Sequence, residues 1–355
     1  MPRNILVEPS LKKKIYNHIP HNVASSPYYE PMIDAIADVG RGVAPPTPWE
    51  ITHTYLDNEV DEMRVYVDSY GKYWDEYGCT LMCDGWSTQN RRKIINFLVY
   101  STYGTVFLKS VDATDKFQNA DYICSLMDDV VRVIGESRVV QVVTDNGANY
   151  KKAGQQLMLT RKHLYWTLCA AHCIDLIFHD MAKEDDVKNM ISQCQQLTGF
   201  IYNHGWVLSL MRRETKNREL IRPAITRFAT HFIALDFIYL HRNDLRRMII
   251  AREWAEKYPR LGTKDKKNAE DVYRMIHSDK FWKDIASIIV VFEPLVKVLR
   301  LVDSDDKADM GYLYEAMDRA KEAIKKNIGR DYKKWWGIID RRWDRQLHQD
   351  IHAAG

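Results

Sequence analysis

The chain has 355 residues, 46% hydrophobic and 28% charged, with a formal net charge of +3. That balance fits a folded chain able to bury a sizeable core and excludes disordered, collagen-like and coiled-coil classes. Six cysteines are too few for a disulfide scaffold. Met1–Pro9 lacks the apolar core of a secretory signal, and no apolar run approaches the roughly 18 residues of a membrane span. The expected setting is therefore a reducing compartment, cytosolic or nuclear.

Prolines at 20, 27 and 31 and the Pro45-Pro46-Thr47-Pro48 cluster break up the first fifty residues, where only Tyr29–Val39 reads as a short helix. This stretch is expected to form an arm or lid. Residues 51–77 read as one acidic amphipathic helix with Tyr55, Val60, Met63 and Val67 on one side.

The pattern changes at residue 78. Cys79–Asp84, Ile94–Tyr103 and Thr105–Asp112 are three short β-type runs separated by turn residues, which predicts an antiparallel meander. Ile123, Met127, Val130, Val131 and Ile134 give helical spacing over 119–135. Val139–Thr144 predicts a fourth strand, Asn149–Leu159 a helix, Leu164–Ala170 a fifth strand, and a helix follows from Cys173. The order is β-β-β-α-β-α-β-α, and a strand reached through a crossover helix lies parallel to its neighbour in the sheet.

From about residue 186 the chain reads as all helical. Phe228, Phe232, Leu235 and Tyr239 share one face. Ile285, Ile288, Phe292, Leu295, Leu299 and Val302 give another, interrupted by Pro294, and Leu313, Met317, Ala320, Ile324 and Ile328 a third. Lys264–Lys267 reads as a polar linker. The expected division is 1–77 as arm and acidic helix, 78–185 as the α/β unit and 186–355 as the helical domain.

The small net charge hides an asymmetry. Residues 50–76 carry eight acids and two bases, whereas residues 201–267 carry fifteen bases and seven acids. The second stretch offers a basic face for a polyanion, with Arg212, Arg213, Arg246 and Arg247 as candidate DNA contacts. The same charges also suit a set of solvated helices.

Two acids stand out by position. Asp84 sits near the end of the first strand in Cys83-Asp84-Gly85-Trp86-Ser87, and Asp145 closes the fourth in Thr144-Asp145-Asn146-Gly147. Were those strands parallel neighbours, both carboxylates would project at one sheet edge. A hard divalent cation such as Mg²⁺ takes such oxygen ligands, and paired cations can cleave and join phosphodiesters. Asp-Gly and Asp-Asn-Gly are also turn signals in their own right. A third cluster, Cys169-Ala-Ala-His172-Cys173, follows the fifth strand. A zinc site there would need further ligands. Cys79 and Cys83 cannot supply them together, because four residues on a strand span about 13 Å. A buried thiol and an orienting histidine are expected instead, and no zinc.

Taken in order, Cys-Asp84-Gly-Trp-Ser, Val-Val-Thr-Asp145-Asn-Gly-Ala-Asn-Tyr and Cys169-Ala-Ala-His172-Cys-Ile-Asp-Leu resemble the hAT (hobo and Activator type) transposase superfamily. More narrowly they resemble plant hAT-derived proteins whose first catalytic half is a domain of unknown function. Ser26–Ile36 and Ala224-Ile-Thr-Arg227-Phe-Ala-Thr-His231-Phe fit the same group. The resemblance implies an RNase H-like mixed sheet of three antiparallel strands and then two parallel ones, with a large all-helical insertion. It implies a DDE-type site that cuts and joins DNA, with Asp84 and Asp145 as the first and second acids and Mg²⁺ ligands. Cys169 and His172 correspond to the family's Cys-x-x-His motif beside that site.

The chain departs from the family pattern in two places. It shows no BED zinc finger, and it ends at His352-Ala-Ala-Gly355 before any match to the segment that supplies the third acid and builds the dimer. The first expectation is a truncated DDE-type core that binds DNA with little or no cleavage and oligomerises only if a further C-terminal segment exists. The alternatives are a non-enzymatic domesticated nuclear module that binds DNA or protein, and a transposon remnant without a role.

Overall fold

A computed structural model describes residues 20–40, 42, 44–221, 229–303 and 311–348. Met1–Pro9, the Ala224–Phe228 part of the helical-region motif and the terminal His352–Gly355 lie outside the described residues. By its contacts the chain divides into two compact units, Met1–Asp68 and Ser69–Gly355.

The first unit contains α1 (Tyr29–Val39) and a helical run that begins at Pro48. That start is fixed by a capping box. The Thr47 hydroxyl accepts from the Glu50 N–H at 3.2 Å, and the Glu50 carboxylate accepts from the Thr47 N–H at 2.7 Å. The run passes through a π-helical turn, Ile51–Tyr55, into α2 (Leu56–Ser69), which has no buried residue. The single helix expected over 51–77 is in fact two. It breaks at Tyr70, and α3 (Gly71–Tyr77) begins anew with Gly71 and Trp74 buried. The acidic spacing of α2 specifies a helix, but only α3 carries residues that need a core.

The second unit is built on a five-stranded sheet of β1 (Cys79–Ser87), β2 (Lys93–Ser101), β3 (Gly104–Asp112), β4 (Val139–Thr144) and β5 (Tyr165–Leu168). The spatial order is β3-β2-β1-β4-β5, with β1–β2 and β2–β3 antiparallel and β1–β4 and β4–β5 parallel. This is the expected mixed RNase H-like sheet. Alternation drives it: Cys79, Leu81 and Cys83 of β1 and Ile95, Phe97 and Val99 of β2 are buried. α4 (Ala120–Ile134) and α5 (Ala148–Thr160) bury apolar stripes and pack on each other, with α5 also against β4 and β5. A polar row crosses the parallel strands, where Thr80 donates to Gln141 at 3.1 Å and Gln141 donates to Thr167 at 2.9 Å. Each group in that row has a partner, so the row does not weaken the core.

After β5 the described chain is entirely helical: α6 (Ala170–Met181), α7 (Asp185–Asn203), α8 (Gly205–Glu214), α9 (Thr230–Leu240), α10 (Arg242–Ile250), α11 (Arg252–Lys257), α12 (Thr263–His277), α13 (Asp279–Val302), α14 (Gly311–Ile328) and α15 (Tyr332–Arg342). Two local expectations are corrected here. Lys264–Lys267 is not a linker but the solvated first turn of α12, whose buried Ala269, Val272 and Ile276 anchor the helix. Pro294 does not interrupt α13, which runs unbroken for 24 residues. Proline deprives the carbonyl four residues earlier of its helical donor. That carbonyl, Val290, accepts instead from the Asn327 side chain of α14 at 3.4 Å.

Candidate functional site: an acid pair at the end of two parallel strands

β1 and β4 run parallel with Cys83 opposite Thr144 as the last paired position. Asp84 and Asp145 are the next residues on the two strands, so the fold brings both acids to the same end of adjacent strands, which lie about 4.8 Å apart. Asp84 is exposed and Asp145 half-buried.

The β4 end is held by a connected set of bonds. The Cys169 N–H donates to the Thr144 carbonyl at 2.7 Å, which carries the β4–β5 ladder one residue past β5. The buried Thr144 hydroxyl accepts from the Trp166 indole at 3.1 Å and donates to the Asp145 carbonyl at 3.0 Å. Asp145 then caps its own turn, its Oδ1 accepting from the Gly147 N–H at 2.8 Å. Asn146 donates to the Cys173 Sγ at 3.1 Å and ties the turn to α6. The turn signal read in Asp-Asn-Gly is therefore real, and it sets the orientation of the acid rather than competing with it.

Burial pushes the Asp145 carboxyl above the ordinary carboxylate range. The Gly147 N–H and His172 pull it down, and the like charge of Asp84 pushes it up. A cation between the two carboxylates would relieve both the burial and the repulsion. Burial also raises the Cys83 thiol, with Asp145 and Asp84 adding to the effect.

Tyr150 of α5 is buried beside this pair, 8% exposed. A Cβ on Gly85 would lie 2.1 Å from its hydroxyl oxygen, and one on Gly147 would lie 3.3 Å from its ring. The two glycines that flank the acids are thus the positions where the ring crosses the backbone.

Cys169 forms the N-cap of α6, and His172 sits in its first turn. The Cys169 thiol is pushed up by burial, with Asp84 and Asp303 contributing. The Cys-x-x-His pair therefore borders the acid pair through Cys169–Asp84 and His172–Asp145. Asp303, directly after α13, is brought into electrostatic range of the same cluster. Sequence reading missed Tyr150 and Asp303. The first closes the Asp145 motif without any pattern that marks it as a site residue, and no spacing links the second to residues more than 130 positions earlier.

The donor chemistry of Asp84 and Asp145 suits a hard cation. Among the described residues, no group of three or more His, Cys, Asp or Glu side chains is arranged to hold a metal ion. Cys79 and Cys83 are both buried free thiols on β1.

The four candidate arginines lie on α8 and α10, and each has a carboxylate partner. Arg212 pairs with Glu219 at 2.6 Å, Arg246 with Asp279 at 2.6 Å, Arg213 with Glu214 and Glu253, and Arg247 with Glu214 and Asp244. All four remain substantially exposed. Their charge is locally compensated, which the excess of bases over 201–267 does not reveal.

The class these features define is an α/β core of RNase H-like topology with an acidic pair at the junction of its antiparallel and parallel halves. Residues 46–197 match the family "Domain of unknown function (DUF659)", which is associated with hAT-type transposase-like proteins. The match spans Asp84, Asp145, Cys169 and His172 and ends within α7. No curated protein matches the chain. No helix among the described residues is long and apolar enough to cross a membrane.

Proposed function

We propose that this chain is the core of a transposase-derived, hAT-type nuclear protein whose Asp84–Asp145 pair holds Mg²⁺ and whose helical region contacts DNA. The observation that carries the reading is the parallel pairing of β1 with β4, Cys83 opposite Thr144, which delivers both acids to one strand end. A divalent cation held there would lower the barrier for a water or hydroxyl to attack a phosphodiester by stabilising charge on the phosphate oxygens. Asp84 and Asp145 would hold it, with His172 beside Asp145 on the first turn of α6. Two carboxylates alone position such an ion incompletely. The chain by itself is therefore expected to bind DNA with little sequence preference and to cut it slowly or not at all.

Gel-shift titrations across a salt series, with a nicking assay in Mg²⁺ or Mn²⁺, test this. Affinity should fall steeply with salt as counterions are released from DNA. Salt-insensitive binding, or none, would sink the DNA reading and favour a protein-binding module. Metal-dependent nicking that disappears in Asp84→Asn would show that the chain completes the site itself, and Asp303→Asn would then ask whether Asp303 is the missing acid.

A further inference from the structure

We infer that Tyr150 is a positioning residue of the acid pair, its hydroxyl held in reserve to donate to an oxygen at the Asp84–Asp145 site when a divalent cation is bound there. This rests on the cation-binding reading given above. Three observations carry it. The side chain is more than nine-tenths buried. Its hydroxyl has no hydrogen-bond partner among the described residues, and neither does the Oδ1 of neighbouring Asn146. Its placement is also enforced, since the ring crosses Gly147 and its hydroxyl lies against Gly85, each a glycine that leaves room for it.

A buried hydroxyl with no partner costs stability, because its desolvation is not offset. Packing does not require that group, because phenylalanine would fill the same space without it. A tyrosine here makes sense if the hydroxyl finds a partner in another state of the site, and the Cys83 thiol and the two acids are the titratable groups that face it. Both Asp145 and Asp84 lie within electrostatic reach of the phenol.

The distinguishing feature is that stability and binding should move in opposite directions. In the purified full chain, Mn²⁺ binding would be measured by paramagnetic resonance of the free ion, and the thermal midpoint would be measured without metal. Tyr150→Phe is expected to bind Mn²⁺ about tenfold more weakly, the lower end of the range for residues that orient metal ligands. Its metal-free midpoint should equal or exceed that of the wild type. Asp84→Asn and Asp145→Asn should abolish binding. Wild-type Mn²⁺ affinity in Tyr150→Phe, with a lowered midpoint, would make the hydroxyl purely structural and overturn the inference while leaving the acid pair intact. Absence of Mn²⁺ binding in the wild type would overturn the acid-pair reading and this inference with it.

Discussion

The hydroxyl oxygen of Tyr150 lies 2.1 Å from the point where a Cβ on Gly85 would stand. No real pair of atoms tolerates that approach, so β1 can pass beneath the phenol only because residue 85 lacks a side chain. The Asp84-Gly85 dipeptide therefore sets an exposed acid next to the clearance that the ring requires.

Gly85→Ala should accordingly displace the Tyr150 ring. The Cζ and Cε2 atoms would also be met, at 2.9 and 3.3 Å, so the clash cannot be relieved at one flexible tip. Overpacking of this kind costs about 1–3 kcal/mol. Chemical denaturation should show a loss in that range. A variant as stable as the wild type would mean that the ring moves freely.

Gly154→Ala sets two effects against each other. Alanine in a helix interior gains about 1 kcal/mol over glycine. Its Cβ would lie 2.2–2.4 Å from three atoms of the Trp166 indole, which is fixed by its bond to Thr144. The clash should win, with a net loss of about 1–2 kcal/mol by denaturant unfolding. A stabilised variant would show that β5 and α5 can separate without cost.

Asp180 of α6 should make the fold acid-sensitive. Arg342 of α15 donates to its carboxylate at 2.6 Å, Lys183 assists, and its carboxyl is held down to about 2 from the ordinary 3.8. A depressed carboxyl contributes stability that is complete above the unfolded value and lost as pH falls through the folded one. The contribution is about 2 kcal/mol at neutral pH, since a full unit corresponds to about 1.4 kcal/mol and the pair is partly solvated. Asp180→Asn should be less stable than the wild type at neutral pH, with the gap closing between about pH 4 and about pH 2. A gap independent of pH would remove the ion pair as its cause.

Asn327→Ala should remove the donor that serves the Val290 carbonyl beside Pro294. The bond is long and partly exposed, so the loss should be small, about 0.5–1 kcal/mol. In the Pro294→Ala background the effect should shrink, because alanine restores the helical donor. Equal losses in the two backgrounds would show that Asn327 acts independently of the proline.

DNA contact should depend more on the α12 lysines than on the four arginines. Arg213 and Arg247 already share Glu214, whereas Lys264 and Lys267 are exposed on the first turn of α12 and Lys266 lies over the Tyr258 ring, with no carboxylate partner among the described residues. Replacing those three lysines by alanine should flatten the salt dependence of binding, each lost phosphate contact reducing the slope by about 0.9. Arg213→Ala should change it little. The reverse order would locate the DNA surface on α8 and α10.

What the sequence determined by itself was local. Period-two alternation in Cys79–Cys83 and Ile95–Val99 and period-3.6 spacing in Ile123–Ile134 already decide strand or helix, because each element must present one apolar face. The crossover rule makes β4 parallel to its sheet neighbour, but that this neighbour is β1, and with it the shared strand end of Asp84 and Asp145, was decided by the sheet order. Tertiary structure decided whatever depends on a partner distant in the chain. Pro294 is tolerated because Asn327 of another helix serves its orphaned carbonyl. The basic excess of 201–267 is muted because Glu214, Glu253 and Asp279 fold against the arginines. Tyr150 becomes part of the site because Gly85, 65 positions earlier, leaves room for its hydroxyl. Periodicity records which face of an element is buried, but not which atom of another element it meets there. Packing and electrostatics are settled by those meetings.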